Sequence, residues 1–512
     1  MADTVPSINT KRLLLRNINL SDTRNIVLWR SDPNVYRYFL TPKKLTESEH
    51  ESWYRNRYLK DESVYNWMAL DQENHPVGVF GVKRESANST TAEISYILSP
   101  ESRGKGYAGE AVQQLFHFLK YSWNCKDAIA EIHEENGASI HFAEKNGMTC
   151  IDKRGEFLIY TKQLKKKLTV FIRADGNSQI GTGHIMRCLA IAGQLHRLGI
   201  EAVFVTADRQ ASHLIIERGY LNVVLDSDWK NMEAETDSFL ALLPPKSTNV
   251  VLVDSYFVTN AYFEQISRSG RIFYIDDLNK ETYPVAGLIN YNIYGPKEDY
   301  SGYVIRNTKL LLGPSYAPLR DEFSDNSPHV YRGVKKILVT SGGTDEYNFI
   351  GNFLEAVFHS EDLNKREYYC ILGIFNKNTK SLLKKYGSFP NIHLLQNVNN
   401  MSFYMKMCDM AVTAGGTTIY EICASGLPSV LYTLADNQLQ IARTFADQGI
   451  IPWAGDIREN MSLCIQNIED LIEQYSDRSL WEQKSAQLHS IVDGKGAYRI
   501  AKALIINQKS VL

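Results

Sequence analysis

The sequence has no surplus of either charge. Its 56 lysines and arginines face 58 aspartates and glutamates, for a formal net charge of −2, which leaves no electrostatic footprint for nucleic acid. Small neutral or phosphorylated partners suit this balance, and nothing in it calls for an obligate protein partner. Long apolar runs are also missing. None approaches the roughly 18 to 20 residues of a membrane helix, and the opening stretch MADTVPSINTKRLLLRN has no apolar core of a signal peptide. The chain is therefore expected in the cytoplasm, off the membrane. Cysteine is sparse, with seven residues, an odd number, scattered and without a Cys-x-x-Cys pair. That spacing argues against a disulfide framework and against a zinc site. No other metal-ligand cluster is read, so no metal is expected, and the thiols are expected to lie reduced in packed interiors. Short repeats and low-complexity tracts are absent.

What is present is length and alternation. The 512 residues exceed the roughly 250 to 300 at which a single core stops growing, so two or three domains are expected. The clearest seam is YTKQLKKKLTVFIRADG, where four lysines fall between Lys162 and Lys167 and an apolar strand begins near Val170. A short basic stretch of this kind reads as a solvated connector, placing a boundary near residue 165. Beyond it VFIRAD precedes a helix over 184–198, AVFVTAD one over 210–219, VVLVDSY one over 260–269, and IFYIDD follows. Near residue 333 the pattern restarts, with KKILVTSGG, a helix over 346–359, YYCILGIF, and DMAVTAGG leading into a helix over 417–425. Short apolar runs alternating with helices predict parallel sheets covered on both faces. The expected architecture is α/β: a mixed first domain over 1–165, then two doubly wound, Rossmann-like lobes over 168–328 and 333–512.

In the first part the informative stretch is TTAEISYILSPESRGKGYAGEAVQQLFHFL, residues 90–119. An alternating strand runs into a loop with Gly104 and Gly106, then into an amphipathic helix. Glycines let the backbone turn tightly and approach a ligand, and the unpaired N–H groups of a helix start attract anions. The loop suits a pyrophosphate, although the same pattern can be an ordinary helix start. With Glu93 on the preceding strand, a second strand IAEIH and then NGASIHFAEKNGM, the segment resembles the GNAT-type N-acetyltransferases, in the branch whose chains begin like TKRLLLRNINLSDTRNIVLWRSD. The likeness spans residues 9–162. It implies that the backbone of Arg103, Gly104, Lys105, Gly106, Tyr107, Ala108 and Gly109 cradles the pyrophosphate of acetyl-coenzyme A. It further implies that Asn136 lies beside the cofactor arm and that a splayed strand pair aims the thioester at an amine. Glu93 is the candidate for taking the amine proton through water. The chain departs from the family at Ala143, where a tyrosine often serves as general acid. The acid is thus unassigned, and a thiol is an undemanding leaving group.

The second part opens on DGNSQIGTGHIMR, residues 175–187. A dinucleotide fingerprint needs Gly-x-Gly-x-x-Gly and an acidic residue some 20 positions on. Gly181 and Gly183 supply two glycines, but the third position holds Met186, with Arg187 after it; Asp208, following a strand, is compatible with either reading. His184 adds chemistry. At a helix start the positive end of the dipole favours an uncharged imidazole, which can accept a proton. Further on come Ala414-Gly415-Gly416-Thr417-Thr418-Ile419-Tyr420-Glu421, Gly426-Leu427-Pro428 and Ala435-Asp436-Asn437-Gln438. Gly415, Gly416 and Thr417 offer a second anion site, and Glu421, one turn in, can accept hydrogen bonds from vicinal hydroxyls such as those of ribose. A nucleoside diphosphate fits both features.

With VDSY, FYIDDL, LLGPSYAPLR and SGGTD, these motifs across about 168–470 resemble the GT-B enzymes of the UDP-2,4-diacetamido-2,4,6-trideoxy-β-L-altropyranose hydrolase family of pseudaminic acid biosynthesis. The resemblance implies hydrolysis: water attacks the anomeric carbon, UDP leaves and the free sugar is released. His184 matches the family's general base, while Tyr256 and Asn437 match positions lining the sugar site. Gly181, Gly183, Gly342, Gly343 and Asn348 are expected to contact phosphate or sugar, with helix N-termini and backbone amides stabilising the leaving diphosphate. By the same likeness, the acetyl transfer that makes the 4-acetamido group immediately precedes this hydrolysis, so the two halves act in succession on one nucleotide sugar. Two other readings stay open. The GT-B part can be a glycosyltransferase that passes the sugar of a UDP-sugar to an acceptor. The first domain can acetylate another amine, or serve as a non-catalytic binding module.

Overall fold

The computed structural model describes residues 7–506 apart from 87, 165–167, 244–248, 325, 326, 328, 397 and 399. It contains two compact units: Met1–Phe171 with Ala202–Asn249 and Phe257–Arg271, and Ile172–Glu201 with Val250–Tyr256 and Ile272–Leu512. The chain thus passes more than once between units, and the seam expected at 165 falls on residues outside the described ones.

In the first unit, strands Ser7–Asn9, Leu14–Asn17, Val64–Leu70, Pro76–Lys83 and Thr91–Leu98 form consecutive antiparallel neighbours. Thr91–Leu98 then pairs in parallel with Asp127–His133, but only from Thr91↔Asp127 to Glu93↔Ile129. Beyond Glu93 the two strands continue unpaired with each other, which is the splayed pair expected from the sequence. Helix Tyr107–Tyr121 covers one face. Its Ala108, Ala111, Val112, Leu115 and Leu119 recur at three- and four-residue spacing and pack with Trp67, Phe80, Ala92, Ile94 and Ala130. A smaller core of Ile18, Ile26, Trp29, Tyr58, Met68 and Leu70 covers the other face. Strand Ser7–Asn9 has a second neighbour, pairing antiparallel with Leu221–Val224 from the second part of the chain.

Strands Gly270–Ile275, Gly287–Asn290 and Lys309–Leu312 lie parallel in one sheet, with Asn249–Asp254 and Thr169–Ala174 next in order; their residues from Ile272, Val250 and Ile172 onward belong to the second unit. A six-stranded sheet contains Ile392–Gln396, Glu367–Leu372, Lys336–Thr340, Met410–Ala414, Ser429–Thr433 and Trp453–Asp456 in that order, all parallel. Ile337, Val339, Val412, Val430 and Tyr432 face a core with helices Phe349–His359 and Ile457–Gln474. Their alternates Leu338, Ala411 and Leu431 are equally buried, as a sheet covered on both sides requires.

Several expectations are corrected. The helix read over 346–359 begins at Phe349, because Asp345 and Asn348 adopt the left-handed conformation and Asp345 Oδ1 accepts from Phe349 N at 2.8 Å. The helix read over 210–219 is only Ser212–Ile216, and the chain turns at Gly219 with φ +82°. Six cysteines are buried, but Cys150 is exposed on strand Thr149–Arg154, where every residue faces solvent. Among the described residues, no helix is long and apolar enough to cross a membrane.

Candidate active sites

The Gly181–Gly183 turn is built by Asn177. Its backbone exchanges two hydrogen bonds with Gly181, and its side chain accepts from Gln179 N and Ile180 N at 2.9 and 3.1 Å. Gly181, at φ +71°, closes this turn, and Gly183 starts the helix that runs to Arg197. His184 is therefore the second helical residue. It is 7% exposed, and its ring stands edge-on to Tyr256 with centroids 4.7 Å apart.

His184 Nδ1 lies 2.6 Å from Asp254 Oδ1 at the end of strand Asn249–Asp254. Arg187, one turn along the same helix face, donates through Nε to Asp254 Oδ2 at 2.6 Å and through Nη1 to Asp277 Oδ2 at 2.8 Å. Burial alone would raise the Asp254 carboxyl, but Arg187 and His184 outweigh it and hold the group well below the usual carboxylate range. An ionised carboxylate only accepts, so His184 Nδ1 is the donor in the 2.6 Å contact and Nε2 is the ring nitrogen that Asp254 does not engage. Arg187 Nη2 also approaches Nδ1, at 3.1 Å, but two donors cannot bond each other, and its acceptor is Asp254.

The network reaches further. Tyr256 donates to Asp277 Oδ2 at 2.9 Å, and the Asn437 side chain lies near its hydroxyl. Burial and Asp277 push the Tyr256 hydroxyl far above its ordinary value, so it stays a donor. The structure thus brings His184 and Tyr256 into one connected set, with Asn437 beside it. Arg187 also donates to the Tyr291 hydroxyl, and Tyr291 packs edge-on against Tyr420 of the glycine-led helix Thr418–Ser425.

The expected binding glycines meet as well. A Cβ on Gly343 would lie 3.5 Å from Gly181 Cα and Thr182 N, and one on Gly415 would lie 3.0 Å from Gln438 Cβ. The Gly342-Gly343 turn therefore rests on the turn before His184, and the Gly415-Gly416 turn on the segment carrying Asn437. Thr417 caps the following helix without a side-chain hydrogen bond; the amides of Gly415, Gly416, Ile419 and Tyr420 donate to backbone carbonyls, which leaves those of Thr417 and Thr418 at the helix start. Glu421 is already engaged: its Oε1 accepts from Arg320 Nη2 at 3.0 Å, and Arg320 also pairs with Glu322. The Asn348 side chain folds over Gly351 of its own helix. Asp254, Arg187, Asp277, Tyr291, Arg320 and Asn177 were not singled out by motif. The available signal was charge at the carboxyl ends of strands, in VVLVDSY and FYIDDL, where α/β sheets place ligands.

In the first unit, Gly104 and Gly106 adopt φ +77° and +80°. Gly106 precedes helix Tyr107–Tyr121 with no side-chain cap, which leaves the amides at Tyr107, Ala108 and Gly109 for an anion. Arg103 pairs with Asp32 at 3.5 Å, and Lys105 lends its carbonyl to Arg12. Glu93 sits at the last paired position of the splayed strands. Burial, then the neighbouring Glu131, raises its carboxyl above the usual range despite Lys83. Asn136 caps helix Gly137–Lys145 by accepting from Ser139 N at 3.1 Å. Ala143 is 2% exposed in the core, and one turn before it the Ser139 hydroxyl lies 3.4 Å from that of Tyr96.

Residues 12–149 match the acetyltransferase (GNAT) domain family, and residues 336–497 the glycosyltransferase family 28 C-terminal domain. The spore coat polysaccharide biosynthesis protein SpsG of Bacillus subtilis is 24% identical over 341 residues, covering 65% of this chain and 97% of that protein. The UDP-2,4-diacetamido-2,4,6-trideoxy-beta-L-altropyranose hydrolase of Campylobacter jejuni is 24% identical over 288 residues, 56% of this chain and 96% of its own length. An uncharacterized N-acetyltransferase of B. subtilis, YnaD, is 29% identical over 157 residues, 29% of this chain and 91% of the relative. The chain is an enzyme that joins an N-terminal GNAT acetyltransferase domain to a GT-B-like region ending in a glycosyltransferase family 28 C-terminal domain.

Proposed function

We propose that the chain catalyses two consecutive reactions on one nucleotide sugar: acetyl-coenzyme A dependent N-acetylation of a UDP-4-amino sugar, then hydrolysis of UDP-2,4-diacetamido-2,4,6-trideoxy-β-L-altropyranose. The acetyltransferase is assigned to residues 1–165 and the hydrolase to lobes over 168–328 and 333–512. We place it in the cytoplasm, the compartment where free thiols such as these persist. The 2.6 Å contact between His184 Nδ1 and Asp254 carries the hydrolase reading. Nε2 accepts a proton from water as the water oxygen bonds to the anomeric carbon. The bond from that carbon to the diphosphate breaks, its electron pair leaving with UDP. Asp254 steadies the imidazolium that forms, and Arg187 keeps Asp254 ionised and in place. Tyr256 and Asn437 orient sugar and water. The amides at the Gly342-Gly343 turn and at the Thr417-Thr418 helix start receive the diphosphate charge, and Glu421, set by Arg320, faces the ribose hydroxyls.

In the acetyl transfer, the amine attacks the thioester carbonyl in the gap between the parted strands, the acyl carbon–sulfur bond breaks with its electron pair leaving on the sulfur of coenzyme A, and Glu93 takes the amine proton through water. Its raised carboxyl suits that task. Incubating the protein with the UDP-sugar and no acceptor tests the hydrolase: free sugar and UDP are expected in equal amounts, whereas turnover only with an added acceptor would mean glycosyl transfer. For the other half, Gly106→Glu places a carboxylate at the pyrophosphate loop in a backbone conformation, φ +80°, that side chains disfavour. Calorimetry should find no coenzyme A binding, with sugar release unchanged. Retained coenzyme A binding would remove the loop from the account.

A further inference from the structure

The hairpin turn between Ser7–Asn9 and Leu14–Asn17 carries a side chain that the acetyl-transfer chemistry leaves unused. Arg12 donates through Nη1 to the Lys105 carbonyl at 2.8 Å and through Nε to Glu110 Oε2 at 2.8 Å. Its own backbone N–H donates to Glu110 Oε1 at 2.7 Å. The guanidinium lies over the Tyr107 ring, 4.7 Å from its centroid, and Nη2 stands 3.4 Å from where a Cβ on Gly106 would be. One side chain therefore engages residues 105, 106, 107 and 110 together. Only a planar fork reaches a carbonyl, a carboxylate and a ring face at once.

We infer that Arg12 is a positioning residue for the Arg103–Gly109 loop, holding it in the form that receives the diphosphate of coenzyme A and neutralising Glu110 beside it. The inference rests on the reading of that loop given under Proposed function. Without the Arg12 guanidinium, Glu110 keeps only neutral donors, the Thr10 hydroxyl and the residue-12 N–H, and is a charge with no counter-ion in the first turn of the helix whose amides must accept an anion, while the two glycines, each at positive φ, lose the bond that pins the residue between them. The turn holding Arg12 is itself fixed, since Thr10 N donates to Leu13 O at 2.8 Å and Thr10 Oγ1 bonds Glu110.

The test uses the full chain, with coenzyme A binding measured by calorimetry and pantetheine, which lacks the diphosphate, by ligand-observed NMR. Arg12→Gln should raise the Kd for coenzyme A about 10-fold to 100-fold, the scale of hydrogen bonds to charged groups, and leave pantetheine unchanged. Glu110→Gln in the Arg12→Gln background should recover part of the loss. Arg12→Lys, which keeps the charge but not the fork, should fall between, and it decides the matter if Arg12→Gln fails to fold. Unchanged coenzyme A affinity in these variants, or an equal loss for pantetheine, overturns the inference. No binding of coenzyme A by the unsubstituted protein would instead bring down the acetyltransferase reading of the loop.

Discussion

His184→Asn should end sugar release while thiol release from acetyl-coenzyme A continues. Asparagine can still donate to Asp254 from the same helix position, so the buried carboxylate keeps a partner and the helix keeps its start. What disappears is the second ring nitrogen, the group proposed to take a proton from water. General-base assistance contributes about 10² to 10⁴ in rate, so kcat for hydrolysis should drop by at least that factor, with little change in KM for the UDP-sugar. The acetyltransferase supplies an internal control: its loss in the same variant would mean that the protein has unfolded or that the two activities share residues.

Asp254→Asn should have an effect of similar size for a different reason, with a stability penalty that the histidine variant lacks. The carboxylate accepts from His184, from two nitrogens of Arg187 and from Cys188 Sγ at 3.5 Å. A carboxamide cannot accept along all these directions. If its NH₂ turns to His184, the ring must present an unprotonated Nδ1, the proton moves to Nε2, and the base is lost. If its NH₂ turns to Arg187, donor meets donor in a buried space. A wrong-tautomer substitution of this type lowers kcat by about 10⁴. Removing one partner of a buried ion pair costs about 3 to 5 kcal/mol, here tempered because Arg187 retains Asp277 and Tyr291. Urea unfolding would read the second effect, and single-turnover hydrolysis the first. A kcat within tenfold of the unsubstituted protein would remove Asp254 from the mechanism.

Much of this architecture is legible as local pattern, because parallel strands buried on both faces read as short apolar runs and the glycine turns between strand and helix are contiguous. VFIRAD, KKILVTSGG and DMAVTAGG all lead into the elements they announce. The partners are harder to read. Asp254 stands 70 residues from His184, and Arg320 stands 101 from Glu421, so no spacing rule links them. Arg187 merely follows Met186, the residue that breaks the dinucleotide fingerprint, yet it ties Asp254 to Asp277. Glu421 signalled a hydroxyl-binding carboxylate, but nothing local shows that it already holds an arginine. The pairing of Ser7–Asn9 with Leu221–Val224 is also hidden, since a strand of three residues carries almost no periodicity. It joins the start of the chain to the stretch Ala202–Asn249 within one compact unit. Helix starts shifted where Asp345 and Asn348 took the left-handed conformation, a choice asparagine and aspartate make through local hydrogen bonds.

The most direct measurement follows oxygen. Hydrolysis of UDP-2,4-diacetamido-2,4,6-trideoxy-β-L-altropyranose in ¹⁸O-water, without acceptor, should give free sugar carrying one heavy oxygen at the anomeric position and unlabelled UDP, at a rate that vanishes with His184→Asn. Label in the phosphate of UDP, or labelled sugar released at the unsubstituted rate by that variant, would contradict attack on the anomeric carbon by a water that His184 activates.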